Sequence, residues 1–508
     1  MGESVDRPER EFYVLQTLGC RTNQEEMDAL RSHLRRLCVE HPGFPHPVPR
    51  LRATGESPAA PALAVVNTCA VTATALAKSR QMIRRAARLH GPRCWIVVTG
   101  CGAQLDPLAL ASLPGVGLVI GNAAKSALPR LFAALAGLAL PPAEEDLLAA
   151  FAAAGLEPPE RAASGAWISW SRDASLPRFL EHACPANGSK LSMPRGRTRL
   201  TLKIQDGCDR ACAYCVVAGL RGRPRSKRVR LVLEEARRLI DAGAREIVLA
   251  GINLGLYEYG SDPGGGEDRA GAGLARLLER LLALPGLGRI RLSSLEPDTL
   301  GPQLLDLLAQ EPRLCPHVHL ALQSGDDEVL ARMGRRYRGE DVRRIAARLH
   351  AGREGAGLGM DVIAGFPGES ERAFAATLDL IAALPATYLH AFAYSERPGT
   401  SAGRLAGPVA PQARRERVRR ARALDAELRA THQARLAGLR CAVVVERCDA
   451  AGAFEGTSGE YVRMRGVAPG VRRGELLDVV ALRPSGSHWQ PCRPALEARR
   501  ASGKAARG

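Results

Sequence analysis

The 508-residue sequence has no apolar stretch of the length a membrane span needs. Leu131 to Leu140, which no other run exceeds, has ten residues, where a helix crossing a bilayer takes about 20. Met1 to Arg10 is polar and charged and lacks the apolar centre of a secretory signal, so export is not expected. Lysine is scarce, with six among 71 basic residues. That bias exchanges one cation for another and leaves an excess of +18 over the 53 acidic residues. A polyanion is therefore the expected partner, nucleic acid first. Disorder and fibrous repeats are excluded by 46% apolar and 24% charged residues. Thirteen cysteines without an export signal do not make a disulfide scaffold. They point instead to metal or redox chemistry in a reducing cytoplasm. At about 150 residues per domain the length allows roughly three domains.

The expected fold class is α/β. Residues 11–137 alternate short β-rich runs (Tyr13 to Leu18, Leu63 to Thr68, Trp95 to Thr99, Val116 to Ile120) with helical stretches at Gln24 to Cys38, Thr72 to Leu89 and Lys125 to Ala136. That order predicts a parallel-sheet domain. Residues 138–195, rich in Ala, Pro and Ser, read as a linker or insertion. In 196–437, six strand candidates (Thr201 to Gln205, Glu246 to Ala250, Arg289 to Ser293, His317 to Leu322, Gly359 to Ala364, Tyr388 to Tyr394) alternate with amphipathic helices, predicting a partial (β/α)6 barrel whose chemistry gathers at the carboxyl ends of its strands. Pro411 to Ala437 reads as one basic helix. Residues 438–484 switch to period-two alternation, a small all-β module, and 485–508 form a basic tail.

The sharpest local feature is Ile204-Gln205-Asp206-Gly207-Cys208-Asp209-Arg210-Ala211-Cys212-Ala213-Tyr214-Cys215. Thiolates spaced by three and then two residues after a strand can wrap a cubane cluster, since soft sulfur ligands select Fe–S or zinc sites. Three ligands leave one iron open to a small molecule, whereas structural zinc wants four. No fourth Cys or His follows within 30 residues. A zinc site remains the alternative at this point. Three further cysteines sit at strand-to-helix turns: Gly19-Cys20-Arg21, Asn67-Thr68-Cys69-Ala70 and Thr99-Gly100-Cys101-Gly102. Turns on neighbouring parallel strands face one end of a sheet, so Cys20, Cys69 and Cys101 can converge. Cys38, Cys94, Cys184, Cys315, Cys441, Cys448 and Cys492 belong to no ligand-spaced set and read as packing residues.

These motifs resemble the radical S-adenosylmethionine (SAM) methylthiotransferase family. The resemblance extends over Ile247 to Asn253, Arg291 to Pro297, His319 to Gly325, Asp361 to Glu369 and Phe392 to Thr400, and spans about residues 11 to 483 except 141–195. Gly102 departs from it, since an aromatic is usual there, although it is not a ligand position. It implies two 4Fe-4S clusters and SAM. One cluster, on Cys208, Cys212 and Cys215, would bind SAM at its open iron and cleave it to a deoxyadenosyl radical. The other, on Cys20, Cys69 and Cys101, would carry the sulfur to be inserted. Tyr214, Gly251, Asn253, Ser294, Gln323 and Asp361 are the candidate SAM contacts; loop capping suits Ser294 and Gln323 nearly as well, and a hydrophobic wall suits Tyr214 equally. Ile204 to Cys208, Ala250 to Gly255 and Ser293 to Pro297 look closest to the branch that acts on N6-threonylcarbamoyladenosine beside the tRNA anticodon. The isopentenyl-adenosine and ribosomal-protein branches are the alternatives, and a non-enzymatic zinc-containing RNA-binding protein is an alternative of another class. Phe454 to Tyr461 resembles the TRAM domain, a small RNA-binding barrel. The implied partners are tRNA, an electron donor such as flavodoxin or ferredoxin, and a sulfur source. Two Arg-rich stretches could extend the grip on tRNA. Arg221 to Arg228 has few compensating acids, whereas residues 414–422 carry acids at helical spacing that suit a solvated face as well.

Overall fold

A computed structural model describes residues 12–41, 46–47, 62–171, 197–258, 271–484 and 489–495. The chain forms two compact units. The first takes residues 1–189, 206–210 and 215–223; the second takes 190–205, 211–214 and 224–508. Part of the cysteine loop expected in the central domain thus packs with the amino-terminal unit.

In the first unit, β1 (Phe12–Thr17), β2 (His46–Pro47), β3 (Leu63–Thr68), β4 (Trp95–Gly100), β5 (Val116–Ile120), β6 (Glu160–Arg161) and β7 (Trp167–Ser169) form one sheet in the order β2-β1-β3-β4-β5-β7-β6. Every pairing is parallel except β6 with β7. The central strands β3 and β4 are buried along their whole length because both faces are covered. Leu63, Val65, Val97 and Leu118 pack on one face with Met27, Leu30 and Leu34 of α1 (Arg21–Glu40). Ala64, Val66, Ile96 and Val98 pack on the other with Ile83 of α2 (Ala73–His90). Thr72 caps α2, its hydroxyl accepting from Ala75 N at 3.0 Å.

The structure differs from the expected linker over 144–169. Helix α3 (Glu144–Ala153) buries Leu147 and Phe151 in the first core, and β7 extends the sheet beside β5. The apolar residues from Leu147 to Ala154 are unbroken and so show no amphipathic period, yet they complete a core the preceding strands leave open. Residues 172–196, with Cys184, lie outside the described residues.

In the second unit six parallel strands form the partial barrel. β8 (Arg199–Lys203), β9 (Glu246–Ala250) and β10 (Arg289–Leu292) make one half; β11 (His317–Gln323), β12 (Gly357–Ala364) and β13 (Tyr388–Ala393) make the other. A Leu295–Leu320 bridge joins them. Helix α4 (Pro411–Leu436) leads to a closed five-stranded barrel over residues 440–494. Its last strand, Gln490–Pro494, falls in the stretch expected to be a basic tail, so the all-β module extends past 484, because the sheet closes only when this strand pairs with Leu476–Ala481 and Arg463–Val467. Glu246, fully buried, holds Arg289 at 2.6 Å and Arg291 at 2.8 Å. These guanidiniums donate to the carbonyls of Ala442, Thr457, Ser458 and Gly459, tying the small barrel to the large one.

Candidate functional site

The three strand-to-helix turns of the first unit do bring their cysteines together. Cys20 precedes α1, Cys69 follows β3, and Cys101 begins the short helix Cys101–Leu105. Gly19, at φ +111°, lies so close that an added Cβ would sit 3.2 Å from Cys69 Sγ. Gly100, at φ +99°, leaves no room for a Cβ against the Thr68 backbone. Only glycine combines this positive φ with this closeness. Gly102 is equally tight, since a Cβ there would lie 2.8 Å from Thr68 Oγ1. Burial, reinforced by the Cys101 and Cys20 sulfurs, pushes the Cys69 thiol up to about 11. A cationic centre would reverse that bias by favouring thiolates.

Beside these sulfurs lies a buried ionic network that sequence reasoning missed. Arg221 Nη1 donates to Glu26 Oε1 at 2.7 Å and to Asp206 at 3.1 Å, and its Nη2 donates to Asn23 Oδ1 at 2.6 Å. Lys125 Nζ reaches Glu26 Oε2 at 2.7 Å. Burial disfavours the Arg221 charge, but Glu26 and Asp206 outweigh it and hold its pKa well above the usual value. Asn122 Nδ2 points at Cys101 Sγ, 3.7 Å away, and donates to Leu220 O at 3.1 Å. The fit to a thiolate-bound cluster is good: a cation and an amide donor lie beside the sulfurs, where they favour thiolate over thiol. Among the described residues the three sulfurs are not drawn to the 4.8 Å mutual spacing of ligands on one ion. Cubane ligands, which bind different irons, have no such need.

On the CX3CX2C loop, Cys208 and Cys215 belong to the first unit. Arg210 N donates to Cys208 Sγ and Val217 N to Cys215 Sγ, each at 3.4 Å. Gly207, at φ +76°, turns the chain where a Cβ would strike the Arg223 carbonyl. Cys212 belongs to the second unit, where Arg335 Nη1 lies 3.6 Å from its sulfur. Arg335 is held by Glu296 at 2.6 Å and stands over the rings of Tyr214 and Tyr337. Each sulfur thus has an N–H donor, the arrangement that stabilises cluster thiolates.

Of the candidate SAM contacts, Gly251, Asn253, Ser294 and Gln323 lie at the carboxyl ends of β9, β10 and β11, Asp361 lies within β12, and Tyr214 lies on the cysteine loop. Gln205 Oε1, another residue missed from sequence, accepts from Ile252 N at 3.0 Å and Asn253 N at 2.9 Å, shaping the loop after β9 against Gly251. The Asn253 side chain is 3% exposed, and neither its Oδ1 nor its Nδ2 has a protein partner. Such a group is expensive unless a ligand satisfies it. Gln323 stands at φ +66°, uncommon for a side-chain-bearing residue, beside a shift in the β11–β12 register. The Tyr214 ring packs edge-on to Phe366 at 6.5 Å. Ser294 and Asp361 engage histidines: Ser294 Oγ meets His319 Nδ1 at 2.8 Å, and Asp361 lies between His319 and His390.

The expected basic patch at 221–228 needs correction. Arg221 is buried as above, and Lys227 is buried against Glu235 at 2.6 Å, so neither is available to a polyanion. Arg223 and Arg228 are exposed. In α4, Arg417 is likewise buried on Glu369 at 2.7 Å, while Arg415, Arg419 and Arg422 are exposed.

Residues 202–381 match the Radical SAM superfamily, and residues 49–121 match the uncharacterized protein family UPF0004. The chain is 32% identical over 425 residues to the threonylcarbamoyladenosine tRNA methylthiotransferase MtaB of Bacillus subtilis, covering 81% of this chain and 80% of that protein. It is 31% identical to the Thermotoga maritima protein of the same name, covering 92% and 93%. It is 32% identical to the tRNA-2-methylthio-N(6)-dimethylallyladenosine synthase of Nitratidesulfovibrio vulgaris strain Hildenborough, covering 83% and 82%. Among solved structures, the radical S-adenosylmethionine methyltransferase TsrM of Kitasatospora setae, with cobalamin and a [4Fe-4S] cluster bound, aligns with TM-score 0.52 at 20% identity over 78% of this chain and 77% of that one. That likeness concerns the fold.

Proposed function

Because the chain belongs to the radical SAM methylthiotransferase family, we propose that it converts N6-threonylcarbamoyladenosine beside the tRNA anticodon into its 2-methylthio derivative. The observation that carries this reading is the pairing in one chain of a CX3CX2C loop, each sulfur met by an N–H donor, with a second convergence of Cys20, Cys69 and Cys101 under Arg221. Two separate thiolate sets suit a reaction that must both generate a radical and hold a sulfur atom. The choice of base rests on the loops at Ile204 to Cys208, Ala250 to Gly255 and Ser293 to Pro297, and on relatives that carry that name.

Cys208, Cys212 and Cys215 hold a 4Fe-4S cluster which, with SAM bound, supplies the one-electron cleavage of the sulfonium. Asn253, with its unpaired buried amide, and Gly251, whose lack of a Cβ leaves room for the Gln205 side chain that shapes this loop, bind the polar end of SAM, helped by Gln323; Tyr214 packs beside it. Cys20, Cys69 and Cys101 hold a second 4Fe-4S cluster at which the sulfur to be inserted is kept. Arg221, itself balanced by Glu26 and Asp206, sets a cation beside these sulfurs, and Asn122 offers its amide N–H to Cys101. The carboxy-terminal barrel grips tRNA through phosphate contacts that position rather than specify. A reduced flavodoxin or ferredoxin supplies electrons, and a separate donor renews the sulfur.

Mass spectrometry of tRNA nucleosides from a deletion strain tests the assignment. Loss of 2-methylthio-N6-threonylcarbamoyladenosine, restored by the gene, is the expected result. Loss of the methylthiolated isopentenyl-adenosine, or unchanged nucleosides with a ribosomal protein left unmodified, would overturn it.

A further inference from the structure

Beyond the cysteine sets, the described residues contain one group of ligand-type side chains gathered closely enough for a single metal ion: His319, Asp361 and His390. They stand on the neighbouring parallel strands β11, β12 and β13. His319 pairs with Gly359 and Asp361 with His390, and positions 359 and 361 share a face because side chains alternate along a strand. All three therefore project to the same side. His319 is buried, Asp361 intermediate and His390 exposed, so the group opens to solvent at one edge.

The surrounding residues fix its geometry. Ser294 Oγ meets His319 Nδ1 at 2.8 Å, which leaves Nε2 directed at Asp361. Tyr388 stacks on the His319 ring at 5.6 Å and 16°, and is itself held by His317 Nε2 at 2.9 Å. A Cβ at Gly359 would run into that tyrosine ring, so glycine there makes the stacking possible. A metal-ligating histidine ordinarily has its second nitrogen engaged in this way.

Distances separate an ion site from a plain ion pair. Asp361 Oδ1 lies 3.5 Å from His319 Nε2 and 3.3 Å from His390 Nδ1. A charge-assisted hydrogen bond would close to roughly 2.7–2.9 Å. Ligands at about 2.0–2.1 Å from a tetrahedral ion are separated from one another by about 3.3–3.4 Å, the edge of the tetrahedron. We propose that His319, Asp361 and His390 bind one divalent transition-metal ion, of the class that takes two imidazoles and a carboxylate, with a position left for an oxygen ligand from water or a bound substrate. Zinc and ferrous iron suit this donor set; magnesium and calcium do not.

The test uses full-length protein with its iron–sulfur content reconstituted and measured, titrated anaerobically with zinc and followed by calorimetry and zinc-edge X-ray absorption. The expected result is one equivalent of zinc with nitrogen and oxygen ligands and no sulfur. Affinity should fall about 10-fold or more in His390→Ala and in Asp361→Asn, with iron content unchanged. His390 is exposed, and Asn matches Asp in shape, so both variants should fold. No saturable binding at micromolar zinc, sulfur ligation, or unchanged affinity in both variants would overturn the site. The assay reads neither SAM cleavage nor tRNA, so its failure would leave the methylthiotransferase reading intact.

Discussion

Replacing Glu246 with Gln would leave two buried guanidiniums facing a neutral amide. Glu246 is fully buried, with Arg289 and Arg291 within 2.8 Å. Burial alone would raise its pKa, but Arg291 and Arg289 outweigh burial and lower it from 4.5 to about 2. A depression of this size corresponds to about 3 kcal/mol of folding stability, in the same range as the 3–5 kcal/mol typical of breaking a buried ion pair. A folded pKa below the unfolded one means that this contribution is present above pH 4.5 and is lost as pH falls toward 2. Exchanging all three residues for apolar ones should not recover the loss, unlike many buried ion pairs. The guanidiniums also satisfy the carbonyls of Ala442, Thr457, Ser458 and Gly459, which would be left bare. Hydrogen exchange read by mass spectrometry over 440–467 is the assay. Glu246→Gln at pH 7 should speed the slowest amides there by about 100-fold, as 3 kcal/mol requires, while peptides 63–68 and 95–100 of the first unit stay unchanged. Equal exchange in variant and parent would refute the reasoning.

Cys212→Ala should abolish SAM cleavage, whereas Cys69→Ala should retain cleavage to deoxyadenosine and lose sulfur insertion; methylthiolated tRNA from the Cys69 variant would contradict the second cluster. The parent should contain about eight irons per chain, and stoichiometric zinc in their place would contradict both clusters. Burial lowers the His432 pKa from 6.5 to about 4, so the folded state prefers the neutral ring. Its contribution is complete above pH 6.5 and declines toward pH 4, and His432→Gln should flatten the urea midpoint of the second unit across that window. Arg221→Met should destabilise the first unit by about 3–5 kcal/mol, because Glu26 and Asp206 lose their buried partner. Arg223→Ala should leave stability unchanged and lower the salt dependence of tRNA binding by about one ion.

Much of the molecule is legible locally. The strands at Leu63–Thr68, Glu246–Ala250 and Val116–Ile120 fall where the apolar runs predict, and α4 ends one residue before its expected limit. The six cysteines of interest are marked by turn glycines and by spacing, both short-range properties. The segment 144–169 was illegible because its unbroken apolar run over 147–154 has no amphipathic period and acquires meaning only against a core built from residues 12–135.

The sequence by itself determined the element order, the two cysteine sets and the cationic excess, since periodicity, spacing and charge are properties of neighbours along the chain. Only the tertiary structure decided what each arginine does. Among 65 arginines, nothing local distinguishes Arg221, Arg335 or Arg417, which are buried beside carboxylates, from Arg223 or Arg419, which face solvent. The same holds for Asn122 against Cys101, Gln205 under the Asn253 loop, and the approach of His319, Asp361 and His390. A buried charge is stable only with a partner, and the partners here lie tens to hundreds of residues away in the chain. Folding supplies that proximity.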